Sequence, residues 1–441
     1  MATTLICNAL VVNEDVAQRR NVLLDGAHVA DILAPDSLPD ADRIVEASGM
    51  YLLPGVIDEH VHFREPGLTD KADIASESRA AAAGGVTSIF DMPNTRPTTT
   101  TLDDWQSKME RMRASCRVNY ACFFGATNSN IEQILEVDRF HTPGIKLFMG
   151  ASTGDMLVDS AEAIAQIFSR SPLPVVVHAE DQSVISRNTA LLRSREGDDP
   201  PVALHSSVRS GEACVRAATL AVGLARRTGA RLHVAHVSTA QEVSLLSRAG
   251  SNITGEVCLP HLLFTTGDYA SLGARIKCNP SVKTAFDRDA LRRALSDDGP
   301  IRCVATDHAP HLIADKRGGC FRAASGMPMV QFSLPAMLTL SDEGVLPLTR
   351  IPRLMSHNPA LLFGVVGRGF LRRGYKADLV LVQRHSHTIT DDDVLSKCGW
   401  TPLCGAVLRW QVVATWVNGR CVYRRHQVDD TVRGEAITFS R

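Results

Sequence analysis

The chain lacks any run of about 18 consecutive apolar residues, the length a membrane-spanning helix needs. Its N-terminus, MATTLICNALVVNED, lacks the basic start and long apolar core of a secretory leader. It lacks an excess of either charge: 47 Lys and Arg against 48 Asp and Glu leave a net charge of −1 with histidine neutral. Nucleic-acid and membrane-surface proteins need a basic excess, so balance argues against both. No Gly/Ser-rich linker, internal repeat or low-complexity segment interrupts the 441 residues. The 11 cysteines are odd in number and scattered through apolar runs such as RVNYACFF and IRCVATD, which reads as buried, reduced thiols of a cytoplasmic protein rather than a disulfide framework.

What is present is alternation. Apolar, β-branched runs end at 53–62, 86–92, 118–124, 144–149, 174–180, 231–236, 253–258 and 302–307. Their near-continuous hydrophobicity is that of strands covered on both faces. Between them, segments such as DIASESRAAAAGG, LDDWQSKMERMRAS and SAEAIAQIFSRS carry helical patterns. Eight strand–helix repeats predict an α/β fold, a (β/α)8 barrel over 53–366. A doubly wound open sheet would call for a Gly-rich phosphate turn after the first strand, and HFREPG is not one. Residues 1–52 and 367–441 contain short strand-like pieces without long helices, and are read as two halves of one small β-sandwich-like domain.

The chemistry concentrates at predicted strand ends, where barrel enzymes build their sites. His60 and His62 are two apart, so on a strand they face the same way and can bind one divalent metal. His178, His236 and Asp307 close the fifth, sixth and eighth runs. His233 and His236 are three apart and face opposite ways on a regular strand; His236, nearer the end, is taken as the ligand and His233 as a core residue. Lys146, in GIKLFMG, sits at the fourth strand end, flanked by apolar residues. It reads either as a lysine whose ammonium snorkels out, or as a buried amine of lowered pKa that reacts with carbon dioxide to give a bridging carbamate.

The motifs GVIDEHVHFREPG (55–67), AAAGGVTSIFDMPNT (81–95), IKLFMGAST (145–153), VVVHAED (175–181), HVAHVST (233–239), KCNPSVK (277–283) and ATDHAPH (305–311) span the barrel. With them the sequence resembles the cyclic amidohydrolases of the metal-dependent hydrolase superfamily, most closely the dihydroorotases. The stretch RRGYKADLVLV (372–382) is similar to the family's returning β-domain. The resemblance implies two Zn2+ per chain: His60, His62 and Asp307 on one, His178 and His236 on the other, and carboxylated Lys146 bridging. It implies reversible hydrolysis of L-dihydroorotate to N-carbamoyl-L-aspartate, a step of pyrimidine biosynthesis, with Asp307 as catalytic acid and base. It also implies a homodimer acting on a small molecule, with no nucleic-acid or membrane partner.

Arg64 shares the strand parity of His62, and its guanidinium fits a carboxylate. By resemblance Asn94 and His311 join it on the substrate carboxylate, and Asn279 contacts the ring amide. The loop 150–155 could close over substrate, with Thr153 as a contact. The alternatives are another cyclic amidohydrolase, such as an allantoinase or a hydantoinase (dihydropyrimidinase), and a non-catalytic scaffold on the same barrel. His261, His308, His385 and His387 are expected to be structural, and Lys283 has no assigned role.

Overall fold

The strand–helix alternation closes on itself. The structure, a computed structural model, describes residues 2–150, 156–296 and 298–441. Eight parallel strands run Val56–Val61, Val86–Asp91, Asn119–Cys122 continued by Phe124–Gly125, Ile145–Phe148, Val175–His178, Leu232–Val234, Ile253–Cys258 and Ile301–Ala305. One parallel ladder joins the first three, and another runs from Phe124–Gly125 to the eighth. The ring closes where the His62 amide donates to the His308 carbonyl at 2.8 Å. This is the (β/α)8 barrel the sequence predicts.

The run 53–62 is not one strand. Tyr51–Pro54 belongs to a nine-stranded sheet, and the barrel begins at Val56. Gly55 is the hinge between them: a Cβ there would lie 2.2 Å from the Thr87 hydroxyl oxygen, so no larger residue fits this crossing. The nine-stranded sheet unites the chain ends. Thr3–Asn13 pairs with Val16–Asp25 and Tyr51–Pro54, which in turn pairs antiparallel with Leu379–Thr388, Leu379 opposite Pro54. Val407–Val417 and Arg420–Arg424 extend it.

The core explains why chemistry is confined to one end of the barrel. At the floor, Ile57, Phe90, Ala121, Phe123 and Val176 pack with Phe363, Ile437 and Phe439. Phe90 meets Phe363 edge-on at 5.2 Å and Phe439 at 5.6 Å, a favourable arrangement of aromatic quadrupoles. The final residues thus lie beneath the barrel, and polar groups gather at the strands' C-terminal ends.

Local signals set the helix boundaries. Ile74–Ala83 starts at Asp73, whose carboxylate accepts from the Ser76 amide at 2.8 Å, and stops at Gly84. Asp73 also pairs with Lys397 at 3.0 Å, tying the helix to the C-terminal segment. Asp73→Ala is expected to cost roughly 1 kcal/mol, read as a lower urea midpoint at unchanged m-value.

Candidate metal centre

Six of the eight strand ends lean on one small cavity, lined by His60, His62, Arg64, Asn94, Phe148, His178, His236, Asn279, Asp307, Ala309, Ser325 and Gly326. All the sequence-derived site residues line it except Lys146, which lies beneath, and His311, which lies behind Arg64. Three of the site residues leave regular geometry: Arg64 (φ 68°), His236 (φ 38°) and Asp307 (φ 46°) adopt the left-handed region. Each such residue costs on the order of 1–3 kcal/mol and persists only where its surroundings over-determine it. For His236 the backbone amide is held by Glu256 at 3.1 Å. For Asp307 the neighbouring Thr306 donates from its amide and hydroxyl to buried Asp58, at 3.2 and 2.6 Å.

The left-handed turn at His236 resolves the spacing of two histidines three apart. The strand ends at Val234, and His236 turns to within 2.9 Å of His178. His233 remains buried, bonded to the Thr254 hydroxyl at 2.8 Å.

His60 and His62 converge on Asp307, with Nε2 to Oδ1 distances of 3.4 and 3.0 Å. Their other nitrogens are committed: His60 Nδ1 donates to Glu256 and His62 Nδ1 to Asn94 Oδ1, the latter at 2.8 Å. A ring that donates through one nitrogen leaves the other free for a metal, so these partners set the tautomer. Across the cavity His178 Nε2 donates to Glu180 at 2.9 Å, which turns its Nδ1 toward His236 Nε2. Two imidazole nitrogens facing at that distance need a proton or a metal ion to share.

Burial sets the protonation states. It pushes His62 down to about 4 and lowers His178 and His236 as well, so these rings are neutral near pH 7. Burial works against ionisation of Asp307, but His60 and His62 outweigh it and hold the carboxyl at about 2. Neutral imidazoles and an ionised carboxylate are the forms that bind metal.

Lys146 is fully buried, and its Nζ has no hydrogen-bond partner among the described residues. The Nζ lies 5.3 Å from the centre of the Phe148 ring. Burial brings the ammonium down to about 8. The snorkelling alternative is therefore not realised. An orphaned amine of lowered pKa, beside His178, His236 and Asp307, fits a carbamate and the cations it would bridge.

A second group of residues is cationic. Arg64 donates through Nε to the Pro310 carbonyl at 3.0 Å, and its Nη2 lies 3.1 Å from His311 Nε2. Lys71 Nζ lies 3.2 Å from His311 Nδ1. Burial, then Arg64 and Lys71, push His311 down to about 2, so the ring is neutral. A neutral imidazole has one acceptor nitrogen, yet Arg64 and Lys71, which only donate, each face one of its nitrogens, and Nδ1 also lies 3.8 Å from the Asp315 carboxylate. One of the two contacts therefore has no lone pair to receive it.

The remaining sequence-derived residues are placed as follows. Asn279 Oδ1 accepts from His205 Nε2 at 3.0 Å. His308 bridges Glu77, at 2.7 Å, and the amides of Met329 and Val330, fixing the loop after Asp307. His261 bonds the Pro280 carbonyl and Lys283 bonds Ser281. His385 and His387 are exposed in the terminal sheet. Thr153 and the rest of 151–155 lie outside the described residues. Trp400, from the C-terminal segment, donates its indole N–H to the His311 carbonyl at 2.7 Å.

Sequence reasoning missed Glu180, Glu256 and Lys71. Glu180 had a signal, since it is two residues after His178 and shares its face. Glu256 had a weaker one, a carboxylate inside the apolar run ITGEVC. Glu256→Gln, which weakens the hold on His60, is expected to lower metal affinity roughly tenfold, measured by titration against a chelating dye.

The Amidohydrolase family model matches residues 51–422, well over half of the chain. A dihydroorotase of Methanosarcina mazei is 33% identical over 91% of this chain and 90% of its own length. One of Halobacterium salinarum is 37% identical over 88% and 90%. An allantoinase of Rubrobacter xylanophilus is 34% identical over 95% and 96%. Among solved structures, the L-hydantoinase (dihydropyrimidinase) of Arthrobacter aurescens superposes with a TM-score of 0.94 at 29% identity, covering 99% of this chain and 100% of that one. The barrel, the histidine- and aspartate-bearing strand ends and these likenesses agree: the chain belongs to the amidohydrolase family, whose members depend on metal.

Proposed function

We propose that this metal-dependent cyclic amide hydrolase is a dihydroorotase, reversibly converting L-dihydroorotate to N-carbamoyl-L-aspartate in pyrimidine biosynthesis. The observation that carries the reading is Arg64, a buried guanidinium that lines the cavity beside His311. Arg64 and Lys71 both direct N–H groups at the neutral His311 ring, whose single acceptor nitrogen can receive only one of them. A carboxylate oxygen between Arg64 and His311 would satisfy them. The ring of dihydroorotate bears such a carboxylate; hydantoin, dihydrouracil and allantoin do not.

His60, His62 and Asp307 would hold one zinc ion, His178 and His236 the other, with carboxylated Lys146 between them. The pair would supply a water acidified to near neutral pH and a Lewis acid for the ring carbonyl. Asp307 turns Oδ1 to the two histidines. Its second oxygen takes the proton released by the attacking water and passes it to the departing ring nitrogen. Asn94 steadies His62 through Oδ1 and presents its amide N–H groups to the substrate carboxylate. Asn279 faces the ring amide from the other wall.

A cytoplasmic setting fits the thiols, since all 11 cysteines are free and nine are buried. No described helix is long and apolar enough to cross a membrane. The allantoinase and hydantoinase likenesses favour a second reading, a hydrolase of uncharged rings. Arg64 argues against it, because a buried guanidinium lining the cavity would meet no substrate anion in an uncharged ring. A scaffold role is disfavoured because all six metal-capable positions are filled. The test is approach to equilibrium from both sides. Dihydroorotate and N-carbamoyl-L-aspartate should each be converted to the same mixture, followed by ultraviolet absorbance. Opening of allantoin or hydantoin with neither conversion would replace this reading by the second.

A further inference from the structure

Behind the cationic group lies a buried ion pair that touches neither the cavity nor any metal-ligand candidate. Lys108, on the helix Leu102–Ser115, and Asp91, last residue of the second barrel strand, are both fully buried. Lys108 Nζ is 2.6 Å from Asp91 Oδ2 and donates to the Met92 carbonyl at 2.6 Å. Asp91 Oδ1 accepts from the Phe63 amide at 2.7 Å. Burying two charges is poor stabilisation: apolar residues of similar volume often serve as well or better. A helix face that also buries Met112 would accept a methionine at 108. What an apolar pair cannot supply is direction.

The three contacts fix two backbone points. Phe63 immediately precedes Arg64, whose left-handed φ of 68° needs its surroundings to hold it. Met92 lies two residues before Asn94. The pair thus pins the ends of the first and second strands at the places from which the two side chains proposed to grip the substrate carboxylate project. We propose that Lys108 and Asp91 are positioning residues for that grip, setting the spacing of Arg64 and Asn94 and so the preference for a carboxylated ring. This rests on the proposed function. It adds a specificity determinant on a helix outside the site.

Lys108→Met and Asp91→Asn test it, the second keeping the side-chain shape and an acceptor for the Phe63 amide. Each is assayed for metal content and for kcat and KM on dihydroorotate and on dihydrouracil. The expected result is a KM for dihydroorotate raised about tenfold or more, about one good directional contact. Metal content and kcat should stay near wild type, and kcat/KM for dihydrouracil should not move. A folded variant with wild-type KM overturns the proposal. So does an equal loss on both rings, or a loss that follows metal content, since either is what a merely structural role gives. If Lys108→Met does not fold, Asp91→Asn decides alone. Wild-type enzyme inactive on dihydroorotate would sink the substrate reading, whereas active wild type with unmoved variants would sink only the role of the pair.

Discussion

Arg64→Met should raise the KM for dihydroorotate by roughly 10²- to 10³-fold, with kcat changed far less. Removing one partner of a buried, hydrogen-bonded charge pair costs about 2–5 kcal/mol, and each 1.4 kcal/mol is tenfold. Arg64 is almost fully buried. Burial lowers its guanidinium to about 10, and the charges of Asp307, Asp91 and Glu77 offset part of that cost. It is therefore charged at neutral pH and held among fixed partners, ready for an anion. Methionine fills much of the same volume without the donors, so the apolar packing survives. Steady-state kinetics on dihydroorotate and dihydrouracil check the point. The carboxylated ring should lose affinity while the uncarboxylated one does not. A parallel loss on both would mean that Arg64 supports the strand end rather than the substrate.

Lys146→Ala should abolish turnover, by roughly 10³-fold or more, through loss of bound metal. The buried amine has no hydrogen-bond partner among the described residues. An apolar packing role would be served as well by methionine, so the nitrogen needs another reason. Deprotonation is within reach because burial has already brought the group down to about 8. Metal analysis of the folded variant is the check: both metal content and activity should fall together. Full metal content with full activity would remove Lys146 from the centre and leave it a core residue. Lys146→Met separates volume from chemistry, since it restores packing and should restore nothing else.

The site residues that could be read from the sequence are those whose position follows from strand periodicity. His60 and His62 share a face by alternation, and His178 ends an unmistakable apolar run. His236 and Asp307 were placed by being last in their runs. The left-handed φ values that aim them are invisible in a residue pattern. The break at Gly55 was equally hidden, because it depends on Thr87 crossing behind it. Partnerships between distant strands were out of reach. His60 and Glu256 are 196 positions apart, and nothing local in ITGEVC announces a bond to the first strand. Lys108 reads as one more charge on an amphipathic helix, and only the fold turns it inward. Lys71 sits in a turn-rich stretch and becomes notable only once His311 lies beside it.

The central claim is that this site is built for a ring that carries a carboxylate. Its most direct test is the ratio of kcat/KM for dihydroorotate to that for dihydrouracil with the metal-replete wild-type enzyme. Sites whose buried donors are left unpaired by an analogue reject it by about 10⁴-fold, and a ratio of that order is the expected result. A ratio at or below one, or preferred opening of hydantoin or allantoin, would contradict the claim.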